Sequence, residues 1–200
     1  FEGWVTRLHD EAQLQVLSFN WWQGMRELFT KSPVRTPADL AGVRMRTPGA
    51  PVWTETVTAM GAVPTPMPYS DVYPALQQNV LDAAEVQLPA AMGSKLYEVT
   101  TDLTLTHHIN LITGLVTSGQ WFDSLPADLQ KVLRDEALKA GDIASHGTED
   151  SLAELEQEFK DHGMKVNEVD ISVFQQATAG VYDKLGYGDL RDELQAMAAQ

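Results

Sequence analysis

Two arginines and a tyrosine are the residues of this chain best suited to binding a small molecule. Arg26 lies in the segment GMRELF, Arg46 in RMRTPGAP and Tyr69 in PTPMPYSDVY. A guanidinium group presents a planar fork of N–H donors that matches the two oxygens of a carboxylate, and a lysine ammonium cannot reproduce that geometry. The three segments therefore predict a holder for a small carboxylate.

The strand that carries Arg46 is predicted from alternation in VRMRT at residues 43–47. In a strand, Val43, Met45 and Thr47 share one face, while Arg44 and Arg46 share the other. The two arginines cannot be equally buried, and we expect Arg44 to be a solvated surface charge. Arg46 is the predicted carboxylate clamp.

The elements around this strand alternate between helix and strand. Pro51 begins a predicted helix that Gly61 ends, and the prolines between Val63 and Met67 force an extended segment. Residues 80–85 form a predicted buried strand. Upstream, residues 14–19 are a predicted short strand that delivers Trp21 and Trp22 to a loop. Such alternation is typical of an α/β layer with a mostly parallel sheet.

From Asn110 the pattern changes and predicts three segments. Residues 14–109 are predicted to form an α/β lobe with the two arginines, residues 110–163 a strand and a long helix, and residues 164–200 a return strand and terminal helices. The helical spacing of Leu129, Val132 and Leu133 supports the long helix.

Composition excludes several classes of function. The chain has 28 acidic and 14 basic residues and a net charge of −14, which repels nucleic acid and anionic lipid. It has no cysteine, so disulfides, thiolate nucleophiles and cysteine-based metal sites are excluded. No apolar run approaches the ~20 residues that span a bilayer. We expect no cofactor and no metal, because adjacent histidines on a strand point to opposite faces and make a poor chelate.

The stretch from TPADLAGVRMRTPGAP through PTPMPYSDVYPAL to LDAAEVQLPAAMGSKLYEV resembles the DctP-like solute receptors of tripartite ATP-independent periplasmic (TRAP) transporters. This resemblance implies a periplasmic binding protein-like fold, type II-like, with two lobes, a hinge strand within residues 110–163 and a long helix that spans both lobes. It implies a periplasmic receptor that captures a small organic acid, closes over it and delivers it to the membrane permease.

The same resemblance assigns roles to individual residues. Arg46 and Arg26 would hold the ligand carboxylate, and Tyr69 would pack on its carbon skeleton. Val86 stands where many family members have an asparagine that contacts the polar head, which favours a shorter or more apolar acid. Glu85 would accept from a ligand hydroxyl or pair with an arginine, and His108 falls close to the ligand. Independently of the resemblance, Trp22 belongs to a tryptophan pair on which Arg26 would stack, and it completes the predicted ligand-binding set.

Two further expectations concern function and assembly. The alternative to a receptor is an α/β enzyme that acts on an organic acid, with Arg46 as substrate clamp and His108 with Glu85 as acid and base. Relative to the family the chain is expected to be N-terminally truncated, with its first lobe incomplete. Apolar strands such as 110–116 would then present unpaired edges that favour self-association.

Overall fold

The computed structural model describes residues 1–198. The helices are α1 (Glu2–Ala12), α2 (Pro51–Ala59), α3 (Val72–Gln77), α4 (Leu88–Gly93), α5 (Gly119–Asp123), α6 (Ala127–Asp161), α7 (Ile171–Thr178), α8 (Val181–Lys184) and α9 (Gly188–Ala198). The strands are β1 (Leu14–Thr30), β2 (Arg44–Thr47), β3 (Val63–Pro66), β4 (Ala83–Gln87), β5 (Asp102–Ser118) and β6 (Lys165–Glu168). No helix in this part of the chain combines the length and the apolar character needed to cross a bilayer.

The chain forms two compact units that interleave in sequence. The first consists of Phe1–Gly24 with Asn110–Glu154, and the second of Met25–Ile109 with the chain from Leu155 onward. β1, β5 and α6 each contribute residues to both units. The three segments predicted from the sequence divide the chain differently, because 14–24 groups with 110–154. Residues 199 and 200 of the predicted terminal segment lie outside the described residues.

A six-stranded sheet runs in the order β3-β2-β4-β1-β5-β6. β2 pairs in parallel with both β3 and β4, and β5 pairs in parallel with β6. β1 is antiparallel to β4, with Arg26 opposite Gln87. The α/β class and the mostly parallel sheet predicted from the sequence are thus confirmed, with β1 as an antiparallel member.

Apolar side chains on both faces of this sheet form the core of the second unit. One cluster joins the sheet to α2 and α7, and its members are Leu28, Val34, Leu40, Met45, Val57, Met60, Ala62, Ala83 and Phe174. Phe29, next to Leu28 and therefore on the other face, packs with its ring centroid 5.3 Å from that of Phe159 in α6. The alternation of β1 thus gives each face of the sheet its own helices.

The prediction that a short strand ends before Trp21 and Trp22 is wrong. β1 continues to Thr30, and both tryptophans lie within it. Tryptophan is a good strand former, and each indole N–H here has a partner. Trp21 Nε1 donates to Ser18 Oγ at 2.7 Å, and Trp22 Nε1 donates to Asn110 Oδ1 at 2.6 Å. These bonds keep the polar edges of the rings satisfied without a loop.

In the first unit, β1 approaches α6 closely at Asn20. The Asn20 side chain donates to the Leu138 carbonyl at 2.9 Å and to Asp142 Oδ1 at 2.7 Å. A Cβ on Gly141 would overlap this amide, lying 2.6 Å from its Cγ. Gly141 therefore permits the close contact between strand and helix.

We predict opposite effects of alanine at the two glycines within α6. Gly141→Ala destabilises the protein by about 1–3 kcal/mol, since Asn20 must give up its bonds to accommodate the methyl group. Gly147 has nothing within 4 Å of its added Cβ, so Gly147→Ala stabilises by about 0.5–1 kcal/mol through helix propensity alone. Urea denaturation of both variants measures the difference, and equal stabilisation by both would contradict the packing role of Gly141.

Candidate functional site

The two arginines of β2 lie in different environments. Arg46 is only 5% exposed. The Arg44 side chain is 46% exposed and binds Asp82, with Nε to Oδ2 at 2.8 Å and Nη2 to Oδ1 at 2.7 Å. The Arg44 guanidinium lowers the pKa of the Asp82 carboxyl. Arg44 is thus the surface charge that the sequence predicts, and Arg46 is the buried cation.

Arg46 is held by the protein without a carboxylate partner among residues 1–198. Its Nε and Nη2 both donate to the Met67 carbonyl, at 3.2 and 3.1 Å. The Arg46 Cζ lies 5.3 Å from the centroid of the Tyr69 ring, within cation–π range. Burial lowers the pKa of Arg46, although nearby Glu85 opposes this effect. Two of its five N–H donors are thus used, and the remaining three, on Nη1 and Nη2, have no hydrogen-bond partner among residues 1–198.

Tyr69 is fixed at its hydroxyl end. It follows the proline-rich strand β3, and its OH donates to the Ala90 carbonyl at 2.8 Å. Ser94 Oγ lies 2.6 Å from the same hydroxyl. Burial raises the pKa of Tyr69, so the phenol stays protonated and able to donate at neutral pH. The ring is therefore held in place beside Arg46.

Arg26 forms a buried network with β4. Its Nε and Nη2 bind the two oxygens of the Glu85 carboxylate, the latter at 2.8 Å. Nη2 also donates to the Glu85 carbonyl at 2.7 Å, and Nη1 donates to Gln87 Oε1 at 2.9 Å. The antiparallel register of β1 and β4 produces this arrangement, because it places Arg26 opposite Gln87 and within reach of Glu85.

The adjacent histidines of β5 contact different carboxylates. The His108 side chain is 2% exposed, with Nε2 3.6 Å from Glu85 Oε2 and Nδ1 2.7 Å from Thr106 Oγ1. His107 Nδ1 bonds Glu27 Oε1, and its backbone N–H donates to Glu27 Oε2 at 2.9 Å. Within the described chain, no group of three or more histidine or acidic side chains is arranged to hold a metal ion.

Five of the seven predicted site residues lie in the second unit as one electrostatic neighbourhood: Arg46, Tyr69, Arg26, Glu85 and His108. Val86 also lies in this unit, but it is completely buried and its register partner is Glu27. Since successive strand residues face opposite ways, its side chain points away from that of Glu85. Trp22 belongs to the first unit, where its backbone N–H donates to Ser145 Oγ at 2.8 Å.

Sequence reasoning missed three contributors to this neighbourhood: the Met67 carbonyl, Ser94 and Glu27. Glu27 carried a usable signal, because a carboxylate inside the buried run of a strand requires a partner. The Met67 carbonyl and Ser94 carried none, since their roles depend on chain segments that meet only after folding.

The His107–Glu27 pair gives a pH-dependent prediction. The hydrogen bond to Glu27 raises the pKa of His107 in the folded protein above its ordinary value of about 6.5. The pair's stabilisation is therefore complete below about pH 6.5 and is lost as the pH rises through the raised pKa. We expect His107→Gln to lower the free energy of unfolding more at about pH 5.5 than at about pH 8.5.

Denaturant titrations at the two pH values provide the measurement for His107→Gln. His146→Gln is the matched control, because His146 is exposed and has no carboxylate partner among residues 1–198. A cost of His107→Gln that is the same at both pH values, or larger at the higher one, would refute the role of the charged pair.

Comparison with known proteins identifies the family. Residues 2–189 match the family described as "Bacterial extracellular solute-binding protein, family 7" (DctP). The sialic acid-binding periplasmic protein SiaP of Vibrio cholerae is 32% identical over 162 residues, which cover 81% of this chain and 50% of SiaP.

Two solved structures are similar over most of the chain. A TRAP periplasmic solute-binding protein from Escherichia fergusonii, in an apo open form, has a TM-score of 0.86 and 43% identity, covering 98% of this chain and 66% of that one. A TRAP periplasmic solute-binding protein from Ochrobacterium anthropi with bound L-fuconate has a TM-score of 0.89 and 29% identity, covering 92% and 61%.

This chain thus spans about half the length of the curated relative and less than two thirds of the structural ones. The family consists of solute-binding proteins, so the alternative of an α/β enzyme with His108 and Glu85 as acid and base is set aside. The chain belongs to the DctP family of bacterial extracellular solute-binding proteins.

Proposed function

We propose that this chain is part of the periplasmic receptor of a TRAP transporter and binds a small organic acid through Arg46. The observation that carries the proposal is the state of Arg46: it is buried, oriented by Met67 and Tyr69, and unpaired with any carboxylate of the described chain. A buried cation normally requires an anionic partner, and a ligand carboxylate would supply one.

The energetics of this contact suit a receptor. A charge-assisted hydrogen bond contributes about 1.5–3 kcal/mol net, and the available Arg46 donors offer more than one. The Tyr69 ring adds apolar contact to a carbon skeleton without a further charge. Binding by such contacts needs no nucleophile and no general base.

The relatives favour organic acids as ligands. SiaP of Vibrio cholerae is named for sialic acid, and the Ochrobacterium anthropi protein was crystallised with L-fuconate. That Val86 favours a ligand with few hydroxyl groups stays a prediction, because Val86 is completely buried and its side chain points away from that of Glu85. A ligand screen therefore includes hydroxyl-rich and hydroxyl-poor acids, and tight binding of a sialic or uronic acid would contradict the role of Val86.

Two partners complete the proposal. The receptor would deliver its acid to the membrane permease of the transporter. In this chain, self-association through β5 is supported by the exposure of Ile112, Leu115 and Val116. Light scattering over a range of protein concentrations tests for self-association, and a monomer mass that does not change with concentration would exclude it.

The clamp itself is tested by Arg46→Lys. We expect the affinity for the bound acid to fall by about 10- to 100-fold, because an ammonium group cannot make the paired bonds of the guanidinium fork. Titration calorimetry with a panel of monocarboxylates, keto acids, uronates and aromatic acids measures the change. Mass spectrometry of the recovered acid checks that it is unaltered, as a receptor requires.

Arg44→Lys is the matched control for this variant. It makes the same substitution two residues away on the same strand, at an exposed arginine paired with Asp82. We expect its affinity to stay within about twofold of the wild type. Binding by Arg46→Lys as tight as that of Arg44→Lys would place the carboxylate clamp elsewhere.

A further inference from the structure

The charged groups around Arg46 can be counted. Among the charged groups of residues 1–198, Glu85 and Arg26 act on Arg46, and the Tyr69 phenol lies beside it. The phenol is neutral because burial raises its pKa. Two guanidinium cations and one carboxylate therefore leave this neighbourhood with one net positive charge.

Arg26 is the cation that the protein neutralises itself. Four of its five N–H donors bond the Glu85 carboxylate, the Glu85 carbonyl and Gln87. Arg46 uses only two donors, both on the Met67 carbonyl. Arg46 therefore carries both the positive charge that no carboxylate of the described chain neutralises and the N–H donors that no group of the described chain uses.

We propose that this site selects monoanionic carboxylates over dianions of the same carbon skeleton, and that Glu85 sets this selection by neutralising Arg26. The inference rests on the proposed function, since it concerns the acid that Arg46 binds. A monoanion brings the buried charge to zero, whereas a dianion leaves one unpaired negative charge in a region of low dielectric. Such an uncompensated charge is an effective element of specificity.

The neighbouring histidines do not change this count. Glu27 forms its own pair with His107, and the charges that act on Arg46 are those of Glu85 and Arg26. His108 lies 3.6 Å from Glu85 Oε2. All titrations are made at one pH, about 8, so that the histidines are in the same state for every acid and both carboxyl groups of each dianion are ionised.

The experiment compares acids in matched pairs by titration calorimetry on the wild-type protein. The probes are butyrate and succinate, lactate and tartronate, and gluconate and glucarate, each pair sharing a carbon skeleton. For every pair that gives binding, we expect the monoanion to have a dissociation constant at least tenfold below that of the dianion.

Two variants shift the charge in opposite directions. Glu85→Gln frees Arg26 and raises the net charge of the site by one, so the ratio of dianion to monoanion affinity should rise at least tenfold. Gln87→Glu keeps the side-chain shape and the contact to Arg26 but brings the net charge to zero. Gln87→Glu should weaken the binding of the monoanion at least tenfold. This variant keeps the test valid if Glu85→Gln fails to fold.

Glu98→Gln is the control for a change in overall charge. Glu98 is exposed and bonded to the Tyr73 hydroxyl at 2.6 Å, so its substitution should leave every ratio unchanged. Dianions that bind the wild type as tightly as their monoanion partners would overturn the valence inference while the receptor function stands. Absence of binding by all six acids and by the wider panel would overturn the receptor function, and the inference with it.

Discussion

The ion pair between Arg26 and Glu85 is the constraint on which the site depends. Both groups are buried, and removing one would leave the other charged in a low-dielectric interior, at a cost of about 3–5 kcal/mol. Such a pair is weak evidence of stability, since desolvation offsets much of its attraction. The pair instead fixes positions: it links β1 to β4 and neutralises Arg26, one of two neighbouring arginines.

The same constraint explains why two arginines behave as one available cation. Arg26 bonds Glu85 and Gln87 through four of its five N–H donors, whereas Arg46 bonds only the Met67 carbonyl and lies over Tyr69. Their charges still act on each other, because Arg26 lowers the pKa of Arg46. The strand register is therefore a determinant of the ligand's charge, since it decides which arginine meets the protein's own carboxylate.

The sequence predicted those features that depend on local pattern. Alternation in residues 43–47 identified β2 and separated exposed Arg44 from buried Arg46, and Pro51 marked the first residue of α2. Local pattern did not predict the course of β1 beyond Phe19, because its second half is stabilised by pairing with β4. The partner of Arg26 lies 59 residues away, so its pairing with Glu85 follows from the fold and not from the neighbouring sequence.

A net charge of −14 makes the burial of Arg46 more significant. Over distances beyond about 8–10 Å, an acidic surface repels the organic acids that the protein is proposed to bind, although physiological salt screens most of this repulsion. Attraction must then arise at short range, where a dry site strengthens each hydrogen bond. Arg44 lies on the same strand and carries the same charge, but water and Asp82 already surround it. Burial, and not the number of basic residues, is therefore what distinguishes Arg46 as the proposed carboxylate-binding residue.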